Sequence, residues 1–453
     1  MAVWSNTELS AVKEHFGRLD AEFYKPEFLK TDRTLSAIDG ITLRRVASKI
    51  DVGHVGPMVK HYTEDGILLL QTQNVREFFL DLEHTIRITP TFHSTLVKSQ
   101  VHKGDLLIAR SGSFGSAAIY FEDAIVNSAD IIIVEIDDPR IDPVYAVAFL
   151  NTRHGSSQLI RFASGGVQGH VNLRILEHLR IPILDSFQQK SVAALVRTAY
   201  SIQSASGTAY REAEQVLEAE LDLDKLTVQK PVGFTARFSE LEMSHRSDAQ
   251  HYQPRFARLI DHLATFSPRR VRDIRIVNRR GLQPVYSESG AVDVVNSQHL
   301  GPRQIDYAGL QKTSDAAFSA AKEAHIQMND ILIYTTGAYI GRTNVYLSEA
   351  PALASNHVNI LRLKPGIDAA YMALVLQSLV GQFQTQKHAR GSAQAELYPA
   401  DIDRFVVPLL DPARQGVIGN LVRESLDKQH ESQKLLEQAK ARLEQLIEEA
   451  AGP

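Results

Sequence analysis

The sequence predicts a mixed α/β (α+β) fold made of two duplicated domains joined by two long antiparallel helices that form a coiled coil. Three observations predict it. Residues Ser186 to Leu226 and Arg414 to Ala450 carry the same 4-3-4-3 spacing. The arm Arg18-Leu-Asp-Ala-Glu-Phe-Tyr-Lys-Pro-Glu-Phe28 returns as Arg246-Ser-Asp-Ala-Gln-His-Tyr-Gln-Pro-Arg-Phe256. A strand module that opens on Asp and ends in a Ser/Thr and Gly loop also occurs once in each half.

The long helices come first, because they set the domain limits. Their seams read Val192, Val196, Ala199, Gln203, Ser206, Tyr210, Ala213, Leu217 and Ile418, Val422, Ser425, Gln429, Ser432, Leu436, Ala439, Leu443. A 3.5-residue repeat held over four heptads buries a narrow stripe against another helix, and a polar layer within it fixes register. About 35 helical residues make a rod of roughly 50 Å. If the rods are antiparallel, the Gln203 and Gln429 layers meet and the domains lie at opposite ends. The expected order is 1–185 first domain, 186–226 central helix, 227–412 second domain and 413–453 closing helix. The break falls between Leu226 and Pro231, where proline forbids continuation of the helix.

Length and composition agree with two domains in a soluble globular chain. The 453 residues exceed one ordinary core, and 44% hydrophobic with 23% charged content is globular. No apolar run reaches membrane-spanning length and the start lacks a signal pattern; a cytoplasmic protein is expected. The absence of cysteine excludes disulfides, thiolate metal sites and cysteine nucleophiles. Net charge is −4. Most of it lies on the helices, which hold four basic against six acidic residues and six against seven. The globular parts are near neutral, with a cluster at Arg269, Arg270, Arg272, Arg275, Arg279 and Arg280 that permits phosphate binding.

Along each half the arm is expected to clip to its domain through buried aromatics. Loops containing Gly and Pro follow, where Lys60, Arg279 and Arg280 could hold phosphate. Apolar strands then deliver Gln71, Gln73 and Asn74 in the first half and Asn296, Gln298 and His299 in the second. Amides at a strand end suit base-edge recognition, since Asn and Gln pair bidentately with adenine; capping of the loop is the alternative. The module Lys103-Gly-Asp-Leu-Leu-Ile-Ala-Arg-Ser-Gly-Ser-Phe-Gly115 matches Met328-Asn-Asp-Ile-Leu-Ile-Tyr-Thr-Thr-Gly-Ala-Tyr-Ile-Gly341. Each reads as a hairpin whose tip bears Arg110, Ser111, Ser113 and Phe114, or Thr335, Thr336, Tyr339 and Arg342, with glycines that allow close approach of a ligand. It is not a P-loop, because Gly-Lys-Ser/Thr and a following helix are missing. Two later polar loops add Gln168, and Arg390 with Gln394, and a proline strand then leads to each long helix near Gln189 or Gln415.

In this order, twice over, these modules resemble the specificity subunit of type I restriction-modification enzymes. The carriers are the Gly-Asp-Leu-Leu-Ile-Ala-Arg-Ser-Gly and Asn-Asp-Ile-Leu-Ile-Tyr-Thr-Thr-Gly strands, the Gly-Gly-Val-Gln loop, the proline strands and the duplicated heptad helix. The resemblance implies two target-recognition domains, each reading half of a split asymmetric double-stranded DNA site. It also implies helices that dock two methyltransferase subunits, with S-adenosylmethionine bound there and not on this chain, and ATP-dependent restriction subunits beyond them. The second domain departs from the first in Arg390-Gly-Ser-Ala-Gln394 and in the extra Ile340, as domains reading different bases would.

Nothing in the chain spells catalysis. Asn-Pro-Pro-aromatic, Walker A and His-Glu-x-x-His are absent, and the 17 histidines are scattered. The expectation is a non-catalytic recognition subunit. Two alternatives stay open: a subunit of a related defence system of type IIB or BREX-like kind, and a scaffold that binds proteins. A second apolar face on the helices, with Leu195, Leu421, Leu435 and Ile447, is expected to receive the methyltransferases.

Overall fold

The computed structural model describes residues 4–14, 17–110, 115–163, 173–226, 231–391 and 394–452. The chain divides into two compact units, Met1–Gln203 with His430–Pro453, and Ser204–Gln429. The architecture is mixed α/β, and each unit is sheet-rich with its own share of the long helices.

In unit 1, α1 (Pro26–Ser36) precedes β1 (Gly40–Thr42) and β2 (Ala47–Val52). Then come β3 (Ile67–Gln71), β4 (Leu106–Ala109), β5 (Ala117–Ile119), β6 (Val126–Ala129) and β7 (Ile131–Ile136). Helices α2 (Pro143–Leu150) and α3 (Arg153–Ala163) lead to β8 (Arg180–Pro182) and the long α4 (Ser186–Glu220). One sheet runs β2-β7-β4-β5, all antiparallel. A second is built around the parallel pair β3 and β6.

Unit 2 repeats the plan. It has α5 (Pro254–Leu263), β9 (Pro268–Arg270), β10 (Arg275–Arg280), β11 (Val292–Val295) and β12 (Ile331–Tyr334). Next are β13 (Thr343–Val345), β14 (Ala352–Ala354), β15 (Val358–Leu363), α6 (Ala369–Gln377) and α7 (Leu379–His388). β16 (Val406–Pro408) and the long α8 (Pro412–Ala451) close it. Its sheet order β10-β15-β12-β13 matches unit 1 strand for strand, and β11 pairs β14 in parallel. Even the register repeats: Gly40 faces Pro182 on β1 and β8, and Pro268 faces Pro408 on β9 and β16.

The central strands look continuously apolar because they separate two cores. Alternate side chains leave a strand on opposite faces. Leu106 and Ile108 of β4 join the core that holds α2, while Leu107 and Ala109 join the core under β3. In β12, Ile331 and Ile333 likewise face one core and Leu332 the other.

A shared latch fixes the start of each long helix. Asp142 caps α2 by accepting from Val144 N and Tyr145 N, and receives Arg197 of α4 at 3.0 Å. Asp368 caps α6 in the same way and receives Arg423 of α8. Gln189 accepts from Asp142 N and donates to Arg140 O and Leu184 O; Gln415 accepts from Asp368 N and donates to Leu410 O. Tyr145 and Tyr371 donate to the carbonyls of Pro182 and Pro408.

Within unit 2 the helices run antiparallel: Ser206 donates to Ser425 O at 2.7 Å, and Glu220 pairs with Arg414. Ser432 donates to Ala199 O in unit 1. Buried serines thus supply the polar layer, while Gln203 and Gln429 stay half-buried. The expected second apolar face needs correction. Ile447 is fully buried in the unit 1 core, Leu195 and Leu435 pack on that same core, and Leu421 packs on the core of unit 2. Helical periodicity could not separate a face turned to a partner from one turned to the chain's own domain.

Candidate functional site

In unit 1, β3 ends in Gln71 and a short 3-10 turn, Thr72–Asn74. Asn74 is 1% exposed and committed to the fold. Its Oδ1 accepts from Gln71 N, and its Nδ2 donates to Asp81 O and His84 O at 3.0 and 3.1 Å. Gln73 is exposed and donates to Gln71 Oε1. Arg110, at the exit of β4, pairs with Asp130 at 2.7 Å, and Thr72 donates to Asp130 O at 2.9 Å. Asp130 therefore brings the amide turn and the hairpin arginine together. Lys60 is exposed on a separate turn, Val59–His61. Ser111, Ser113, Phe114 and Gln168 lie outside the described residues.

The same frame stands in unit 2 with other side chains. β11 ends at Val295 and is followed by Asn296 and the turn Ser297–His299. Buried His299 takes the place of Asn74: its Nδ1 accepts from Asn296 N at 3.1 Å, and burial holds its pKa below the usual imidazole range. Asn296 caps the turn through Gln298 N and donates to Gln311. Gln298 is exposed. Thr335 occupies the place of Arg110 and is fully buried, donating to His357 O at 2.9 Å. Ser355 N donates to Val295 O, so residues 355–357 tie the amide turn to the hairpin.

The hairpin and the late polar loop of unit 2 form one surface. Gly337 N donates to Ala395 O, and Thr336 forms a bridge with Glu396. Buried Thr336 Oγ1 has no hydrogen-bond partner among the described residues. Arg342 lies with its guanidinium 3.6 Å from the Tyr339 ring centroid, a cation–π contact. Arg280 donates to Leu397 O and stacks 4.7 Å over Tyr398, which is itself hydrogen-bonded to Glu396. Arg390 pairs with Asp401, which is 1% exposed, so this arginine also braces its loop. Gln394 is exposed beside Gly337, and Arg279 is half-buried on β10. Tyr398 is the exposed aromatic that sequence reading passed over, although it stands just beyond the loop holding Arg390 and Gln394.

Arg110 leaves the first strand of its hairpin, whereas Arg342 precedes the second strand of the other. The paired glycines Gly115 and Gly341 have φ of +93° and +88°, and a Cβ there would meet Ile160 or Thr385. They fit the hairpin onto α3 and α7. Gly341→Ala places a Cβ 2.8 Å from Thr385 Cγ2 at positive φ. It is expected to cost about 1–3 kcal/mol, read as a lower urea midpoint; an unchanged midpoint would refute the fit.

Among the described residues no helix is long and apolar enough to cross a membrane, and no group of three His, Asp or Glu is placed to hold a metal ion. No family model and no curated protein matches the sequence. Solved structures do match along the chain. The S subunit of a type I restriction-modification system from M. genitalium is 13% identical, with a TM-score of 0.47 over 92% of this chain and 96% of that one. The HsdS subunit from Thermoanaerobacter tengcongensis is 12% identical, with a TM-score of 0.29 over 91% and 96%. A chain from a structure on complex assembly and conformational transition of the type I R-M system is 12% identical, with a TM-score of 0.30 over 91% and 97%.

Proposed function

We propose that this chain is the DNA-recognition subunit of a type I restriction-modification complex and has no catalytic site of its own. Each unit reads one half of a split, asymmetric duplex target, and the long helices dock two methyltransferase subunits that carry S-adenosylmethionine. What supports this reading is one observation: the two units share a backbone frame but present different side chains from it. Arg110 and Asp130 stand in one unit where Thr335 and His357 stand in the other. Exposed Gln73 and Gln298 occupy matching turns, and Arg342, beside Tyr339, follows Gly341 where Ser116 follows Gly115. Amides and guanidinium groups at strand ends are the side chains that read base edges in the major groove.

The test is to map modified bases in cells with and without the gene. One bipartite motif should lose its methylation when the gene is removed; an unaltered map would refute the proposal. In the restored strain, Arg342→Ala or Gln298→Ala should relax one position of a single half-site, because removing a bidentate base interaction costs about 1–3 kcal/mol. If occupancy instead falls at both half-sites together, these side chains brace loops and do not read bases.

A further inference from the structure

The arginine cluster of unit 2 is only partly used by the loops described above. From Pro268 to Arg280 stand six arginines against one aspartate, whereas the matching stretch Gly40 to Val52 holds two arginines and a lysine against one aspartate. Arg275 forks onto Asp403 at 2.6 and 2.9 Å, and Arg280 is held by Leu397 O and Tyr398. Arg269, Arg270 and Arg272 are exposed on β9 and the turn after it.

The pairing of β9 with β16 brings a further cation to this edge. Arg270 faces Val406, Val271 N donates to Phe405 O, and Arg272 N donates to Asp403 O, which leaves exposed Arg404 beside them. Arg272 makes a loose 3.6 Å contact with Asp273. Among the described residues no carboxylate pairs with Arg269, Arg270 or Arg404.

One segment links these arginines to the reading surface. Residues Leu397 to Phe405 run along β10, with Leu397 O bonded to Arg280, Pro399 O to Asn278 and Asp403 to Arg275. Arg280 with Tyr398 stands at one end of the strand, and Arg269, Arg270 and Arg404 stand at the other. A six-residue strand spans roughly 20 Å, enough to follow several phosphates of one DNA strand.

We infer that this ridge holds the phosphate backbone of duplex DNA beyond the bases that unit 2 reads, a contact with no counterpart in unit 1. The inference rests on the DNA-recognition reading above. An acidic protein surface fits the ridge less well, because protein interfaces are anchored by buried aromatic or aliphatic groups. Ile276 and Tyr398 are exposed along β10, but no large apolar side chain is exposed around Arg269, Arg270 and Arg404, from Ser267 to Ile274 or from Pro399 to Leu410.

The experiment measures binding of the full chain to a random-sequence duplex as a function of salt. Wild type should show a steep fall of log K with log salt. In Arg269→Gln/Arg270→Gln/Arg404→Gln the slope should flatten by about 0.9 for each phosphate that is no longer neutralised, with the melting temperature kept. The matching Arg→Lys triple should keep the wild-type slope, because counterion release counts charge. A steep wild-type slope that the glutamine triple leaves unchanged overturns the ridge and leaves the proposed function standing. A wild-type chain without salt-dependent binding overturns both. Loss of binding to an acidic protein with an unchanged DNA slope assigns the ridge to protein contact and also overturns the inference.

Discussion

Replacing Arg161 with alanine is expected to cost unit 1 about 3 kcal/mol and to free the arm at Arg18–Tyr24. The side chain is 2% exposed and engages Phe23 and Asp32. Its Nε donates to Phe23 O at 2.8 Å, its Nη1 pairs with Asp32, and its guanidinium lies 4.0 Å from the Phe23 ring centroid. Phe23 in turn stacks on Phe162, and Tyr24 donates to Arg18 O. Alanine would leave a buried carbonyl unsatisfied and a carboxylate without its cation, the kind of loss that dominates large single-site effects. Urea unfolding should show the drop, and hydrogen exchange should show loss of protection confined first to the arm. Asp32→Ala should cost less, since Arg161 would keep both of its interactions with Phe23. Equal losses in the two variants would mean that the ion pair alone matters and that the arm is held by something else.

That arm was legible in the sequence because its signal is local: Arg18, Asp20, Tyr24, Pro26 and Phe28 return at matching spacing in the second half, with His251 at the place of Phe23. The seams of α4 and α8 and the strands around Leu106–Ala109 and Ile331–Tyr334 were legible for the same reason, since periodicity states which residues share a face. Orientation toward distant partners was not. Asn74 and Gln73 are adjacent amides, yet one is sealed in its turn by carbonyls at Asp81 and His84 and the other is exposed. Gln189 and Gln415 looked like ordinary helix residues, and their partners Asp142 and Asp368 lie 47 positions away. In each case contacts across the fold decided what local pattern could not.

Lowering the pH from 7 to 5 is expected to destabilise the arm of unit 2 by about 2 kcal/mol through His388 alone. Here the aromatic pair of unit 1 is replaced by histidines, with His251 and His388 at a ring-centroid distance of 5.8 Å. Burial, then the charges of Lys387, His251, Arg404 and Arg246, push the His388 pKa down to about 3. His251 is lowered as well, chiefly by burial and against the opposing pull of its bond to Lys387 O and of Asp248. Glu240 is the acidic group facing Lys387. The sign follows from the depressed folded values. With the folded pKa of each ring held below its unfolded value, the contribution is complete above the unfolded value near 6.5 and is lost as pH falls toward the folded value. Arg246 donates to the carbonyls of Lys387, His388 and Ala389, so release of this arm also frees the end of α7 that leads to Arg390 and Gln394. His154 and His299 are lowered too and add to the overall pH dependence. The comparison that isolates the pair is His388→Phe, which installs the residue that unit 1 has at Phe162. Between pH 7 and 5 this variant should lose about 2 kcal/mol less than wild type in urea unfolding, and its arm should keep its hydrogen-exchange protection. An identical pH dependence in the two proteins would show that His388 is not the group that titrates.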